Sequence, residues 1–98
     1  MERNDYNMFD LNTEYKAENI SESELLLVNM TNGKMFLLNQ SSSEFYKMCS
    51  KSHSHDELIQ LYIGTYRSQN IAERDLKEDA DKLFSWFLSN GFIQSTGQ

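Results

Sequence analysis

Asn32-Gly33 lies between two short apolar runs, Leu25 to Val28 and Met35 to Leu38. A type I′ turn needs positive φ at both central positions, and Asn-Gly meets that demand at the lowest steric cost, so the pair predicts a β-hairpin. A two-residue loop would set Thr31 opposite Lys34, Met30 opposite Met35, Val28 opposite Leu37 and Leu27 opposite Leu38. Strand alternation then puts Leu25, Leu27, Phe36 and Leu38 on one face, interrupted by Asn29. Leu26, Val28, Met30, Met35 and Leu37 fall on the other. One core can cover only one of these faces, so the second predicts a further contact.

A chain of 98 residues with a 39% apolar share makes one domain with a single core. Its longest apolar runs are strand-sized, which excludes a membrane-spanning helix. The start MERNDYNMFD has neither a basic cap nor an apolar signal core, and the single cysteine rules out an internal disulfide. The expectation is a cytoplasmic protein.

The polar stretch through residue 12, with Tyr6, Met8, Phe9 and Leu11 inserted, reads as a flexible arm ahead of a domain over 13–94. A weakly alternating segment around Glu14 to Asn19 predicts an edge-like first strand, followed by strands over Glu24 to Met30 and Lys34 to Leu38. Ser41 with Glu44 fits a capping box that opens a helix carrying Phe45, Met48 and Cys49 on one face. Ser54 with Glu57 fits a second box, and Leu58, Leu61, Tyr62 and Tyr66 then recur at helical spacing. A last helix from about Ala72 to Asn90 presents Leu76, Ala80, Leu83, Phe84 and Phe87, with Gly91 as a left-handed stop. The order β-β-β-α-α-α defines an α+β domain: a three-stranded antiparallel sheet followed by three helices on one of its faces.

Catalytic signals are scarce. Cys49, His53 and His55 sit close together but lack the ligand spacing and second cluster of zinc sites, so they read as a core thiol and a solvated loop. Ser41, Ser42 and Ser43 have no placed base, and capping accounts for them better than nucleophilic chemistry. Glu73, Asp75, Glu78, Asp79 and Asp81 surround the apolar stripe with Lys77 and Lys82 interleaved, the pattern of a solvated helix face. No glycine-rich phosphate loop occurs, and the reading is a protein that is not an enzyme and needs no metal or cofactor. Trp86 falls off the main stripe, on the flank with Asp79, Lys82 and Leu83, where an aromatic wall beside a groove is one reading and packing at the core margin the other.

The succession of apolar strand, Asn-Gly turn, second apolar strand ending in Leu-Asn and small-residue helix start resembles the PqqD-like family, the RiPP recognition elements of ribosomal peptide natural-product pathways. The residues that carry the resemblance are Gly33, then Phe36-Leu37-Leu38-Asn39 and Ser41-Ser42-Ser43. Phe45-Tyr46, Ser54 with Glu57-Leu58-Ile59, and Phe87 through Gly91-Phe92-Ile93 follow in order, so the match spans about Glu24 to Ile93. The resemblance implies a small winged-helix-like domain and a peptide chaperone that holds the leader of a precursor peptide and delivers it to a modifying enzyme of radical-SAM, cyclase or protease type. The leader would add a strand to the outer edge of the third strand, beside the third helix. If the second strand lies between the first and third, that edge is open. The candidate peptide-binding residues are Lys34, Met35, Phe36, Leu37 and Leu38 along the edge and Asp79, Lys82, Leu83 and Trp86 along the helix.

Two other readings compete. A pure assembly module would use the second sheet face to bind an enzyme or another copy of itself as a homodimer. A winged-helix DNA-binding regulator would need a basic recognition helix. Nine basic against fifteen acidic side chains, net charge −6, oppose that, because phosphate neutralisation supplies most DNA affinity. The charge pattern therefore predicts no saturable binding in an anisotropy titration against mixed duplexes at low salt. Sub-micromolar affinity that falls steeply with added salt would restore the regulator.

Overall fold

The computed structural model describes residues 7–96. Six strands and three helices run in the order β1 (Met8–Leu11), β2 (Tyr15–Asn19), β3 (Leu25–Asn29), β4 (Met35–Leu38), α1 (Gln40–Met48), β5 (His53–Ser54), α2 (His55–Tyr66), α3 (Glu73–Ser89) and β6 (Ile93–Ser95). They form two antiparallel three-stranded sheets, β2-β3-β4 and β5-β1-β6. The fold is α+β and winged-helix-like, as expected, with the main sheet in the predicted strand order.

The expected arm is partly structured. Phe9 pairs with His53 on one side and with Ser95 on the other, so Met8–Leu11 is the central strand of a second sheet. Four residues whose partners lie more than 40 positions away carry no local signal, and only closure of the chain's two ends forms this sheet. Residues 1–6 of the expected arm lie outside the described residues.

The β3–β4 hairpin keeps the predicted faces but not the predicted register. Leu27 pairs with Phe36 and Val28 with Met35, a shift of two residues. A two-residue shift preserves side-chain alternation, so Leu25, Leu27 and Leu38 are buried, whereas Met35 and Leu37 are 64% and 61% exposed. Asn29 causes the shift. Its Oδ1 accepts the Thr31 and Asn32 N–H groups at 2.8 and 3.1 Å, and the ladder closes with Asn29 N–H donating to the Lys34 carbonyl at 2.8 Å. The loop is therefore four residues long, and only Gly33 within it has positive φ, +78°.

Asn39, not Ser41, caps α1: its side chain accepts the Ser42 N–H at 3.0 Å. The displaced serines have other work. Ser43 is buried, accepts the Leu25 N–H at 3.0 Å and donates to the Leu38 carbonyl at 3.1 Å, so one hydroxyl bridges the last pair of the β3–β4 ladder. The Ser54–Glu57 capping box opens α2 as predicted. The buried face of α2 is Leu58, Ile59, Tyr62 and Ile63, and Leu61 is 41% exposed.

α3 ends as predicted. Gly91 takes φ +77°, its N–H reaches the Leu88 carbonyl at 3.1 Å and the Phe92 N–H reaches the Phe87 carbonyl at 2.9 Å, a Schellman motif. This turn drives Phe92 into the core, where it meets Tyr15, Phe36, Trp86 and Phe87 at ring-centroid distances of 5.0 to 5.3 Å.

Ser43→Ala removes both hydrogen bonds by which the buried hydroxyl ties α1 to the end of the β3–β4 ladder and is expected to cost about 1–3 kcal/mol. Urea denaturation checks it, with an unchanged midpoint as the contrary result.

Candidate functional site

β3 occupies the middle of the main sheet, so β4 is an edge. Because Asn29 and Lys34 form a hydrogen-bonded pair, alternation makes Leu27–Phe36 the next one, and the N–H and C=O groups of Met35 and Leu37 turn outward. Among the described residues no backbone group of another element bonds to this edge. The candidate edge residues thus divide. Met35 and Leu37 present outward backbone, whereas Lys34, Phe36 and Leu38 address β3, and the Leu38 side chain is fully buried.

β4 leads through Asn39 and Gln40 to Ser41, and Ser41 lines a cleft of about 410 Å³ with Tyr62, Asp79, Lys82, Leu83 and Trp86. All four candidate residues on α3 therefore meet in one place. They recur at helical spacing over about 10 Å of axis. A second cleft, lined by Asn39, Gln40, Ser41, Tyr66 and Gln69, shares Ser41 with the first. Phe36 of β4 and Trp86 of α3 pack against the same ring, Phe92, from centroids 5.0 and 5.2 Å away, which ties the edge strand to the aromatic wall of the cleft. Trp86 is 39% exposed, so it both packs and presents a surface.

Sequence reasoning missed Ser41 and Tyr62 as cleft residues. From sequence Ser41 reads as a cap and Tyr62 as part of a core stripe, and a side chain that is buried on one side and lines a cleft on the other gives no separate signal. Burial raises the Tyr62 phenol pKa above its usual value; the Asp79 carboxylate adds to the rise and the neighbouring Ser41 hydroxyl opposes it. Tyr66 is raised by burial and then by Tyr62 and Glu44, and its hydroxyl, shielded from solvent, has no hydrogen-bond partner in the structure. Both phenols therefore stay neutral hydrogen-bonding groups at physiological pH.

The histidines and cysteine are directed elsewhere. His55 Nε2 lies 3.0 Å from Asp81 Oδ1 with its ring over Phe84, and His53 Nδ1 lies 3.3 Å from Glu57 Oε1. Glu57 is held below the usual carboxylate range, first by the Ser54 backbone N–H and then by His53. Among the described residues no three His, Cys, Asp or Glu side chains converge as a metal site. A separate cleft of about 390 Å³ beside His53, Asp56, Glu57, Gln60 and Leu61 is lined by the exposed side of α2, away from α3's candidate residues. No helix is long and apolar enough to cross a membrane among the described residues.

Neither the family models nor the curated proteins compared with this chain match it. Two solved structures do. One is TbiB1 in complex with the TbiA(beta) leader peptide, with a TM-score of 0.72 and 11% identity over 91% of this chain and 99% of that one. The other is lasso peptide synthetase B1 complexed with the leader peptide, with a TM-score of 0.68 and 19% identity over 88% of this chain and 96% of that one. At these identities the likeness is one of fold, and it spans nearly the full length of both neighbours.

Cys49 is fully buried and its thiol is pushed up to about 12 by desolvation. The native protein at pH 8 is therefore expected to leave a thiol reagent such as dithionitrobenzoate unreacted until denaturant is added. Stoichiometric reaction of the native state within the mixing time would place Cys49 at the surface.

Proposed function

We propose that this domain is a non-catalytic peptide-binding chaperone of ribosomal peptide natural-product biosynthesis. It holds the leader segment of a precursor peptide as an added antiparallel strand on β4 and presents the precursor to a modifying enzyme. The observation that carries this reading is an unpaired strand edge lying beside a half-apolar cleft on α3. Two fold neighbours described as leader-peptide complexes support it. Strand addition satisfies the outward Met35 and Leu37 backbone groups whatever the peptide sequence, and the cleft residues Asp79, Lys82, Leu83 and Trp86 read its side chains. The domain over 13–94, extended by β1, would act in the cytoplasm without cofactor, DNA or membrane.

The outer sheet face gives the modifying enzyme a place to dock. Leu26 and Val28 are half-buried there, and Met30, Met35 and Leu37 are more than 60% exposed. Exposed apolar side chains grouped on one sheet face mark an interaction surface. The same face is where a homodimer would form, and solution mass distinguishes the two.

NMR titration with the leader segment of a candidate precursor peptide is expected to shift the Met35, Leu37 and Trp86 resonances. Trp86→Ala should weaken binding by about 1–2 kcal/mol with the fold intact. Leu37→Pro, which removes an outward donor, should nearly abolish it. Shifts confined to α2 and β1, with Met35, Leu37 and Trp86 unmoved, would place the binding site elsewhere.

A further inference from the structure

We propose that the α3 cleft selects peptides carrying a carboxylate side chain about two residues from a bulky apolar one, with Lys82 receiving the acid and Trp86 with Leu83 the apolar group. This rests on the peptide-binding reading above and specifies its ligand. A chain of net charge −6 repels acidic peptides in general, so a cation inside its cleft has a local role. Lys82 is that cation. Among the described residues it has no carboxylate within 4.0 Å, although Glu78 and Asp79 sit four and three positions before it on the same helix. Glu four residues ahead of Lys is the orientation that pairs most readily on a helix. Among the described residues Lys34, Lys47, Lys51, Arg67 and Lys77 are likewise without an acid within 4.0 Å, so what distinguishes Lys82 is its place in the cleft lining. The Lys82 ammonium is thus left available at the cleft.

The rest of the lining fixes where the acid can go. Trp86 and Leu83 make one end apolar, while Asp79 beside the Tyr62 phenol makes the other end unfavourable to a second carboxylate. An extended peptide presents same-face side chains about 7 Å apart, and Lys82 and Trp86 are separated by about 6 Å of helix axis. A strand on β4 that runs along α3 would place an apolar side chain at Trp86 and a carboxylate at Lys82 together.

The test is selection from a displayed random library of about twelve-residue peptides, with the wild-type protein and the Lys82→Glu and Leu37→Pro variants as baits and thermal melts as the folding check. The wild type is expected to enrich Asp or Glu at a fixed offset of about two from an aromatic or large aliphatic residue. Lys82→Glu should exchange the acid for Lys or Arg at that position and weaken wild-type winners roughly five- to tenfold. Enrichment without an acidic position, or the same acidic winners on Lys82→Glu, overturns this inference and leaves peptide binding standing. No enrichment by folded wild-type protein, or equal enrichment by folded Leu37→Pro, overturns the peptide-binding reading itself and this inference with it.

Discussion

The contact on which most of the structure depends is the burial of Phe92 at the end of α3. Gly91 reverses the chain through positive φ, and the turn carries Phe92 under the main sheet, where four aromatic rings surround it. The carbonyls of the same turn are then used as anchors. Tyr15 Oη donates to the Asn90 carbonyl at 3.1 Å, Asn12 Nδ2 donates to the Gly91 carbonyl at 2.9 Å, and the Asn12 N–H donates to the Phe92 carbonyl at 2.9 Å. One helix end thereby fixes the link between β1 and β2, and with it the relation of the two sheets. Truncating a buried phenylalanine costs about 3–5 kcal/mol in general, and here the loss would fall on both sheets and on the wall behind Trp86.

That dependence explains how a domain this small keeps an open edge without losing definition. β4 is held on its inner side by the β3 ladder, at its end by the Ser43 hydroxyl and below by Phe36 on Phe92. Its outer side is left with the unpaired donors and acceptors of Met35 and Leu37. Open edges invite unwanted pairing, and short length is one of the recognised ways to limit it. β4 spans only Met35–Leu38, then turns straight into the Asn39 cap of α1. On the proposed reading, this short edge would align a peptide and side-chain contacts on α3 would supply the rest of the affinity.

What could be read from the chain follows from which interactions are local. The faces of the β3–β4 hairpin were legible because alternation depends only on parity, and the two-residue shift left parity intact. The register was not, because the Asn29 side chain closes the loop and competes with the Asn32-Gly33 turn through hydrogen bonds that propensity does not weigh. The Ser54–Glu57 box and the Gly91 stop were legible as sequence-local devices. The α1 cap was misassigned by two residues, since Asn39 and Ser41 are both good caps and the ladder's need for Ser43 decides between them. β1 was illegible because its partners are remote. On α3 the grouping of Asp79, Lys82, Leu83 and Trp86 was legible from spacing, whereas Ser41 and Tyr62 enter the cleft only through packing between helices.

The division of labour between edge and helix bears on how such a fold keeps its shape while its side chains change. The fold neighbours share only 11% and 19% of residues with this chain over most of its length. The features that define the edge make few demands on side-chain identity: a central β3, a short β4 and a left-handed helix stop that needs glycine at one position. The α3 face is under the opposite constraint. Asp79 and Lys82 are exposed and Leu83 and Trp86 touch the core only at its margin, whereas the buried positions are Leu76, Ala80, Phe84 and Phe87 on the neighbouring stripe. The two stripes are about a quarter-turn apart, so on the proposed reading substitutions on the cleft stripe would change what the groove accepts while the core stripe continues to hold the helix in place.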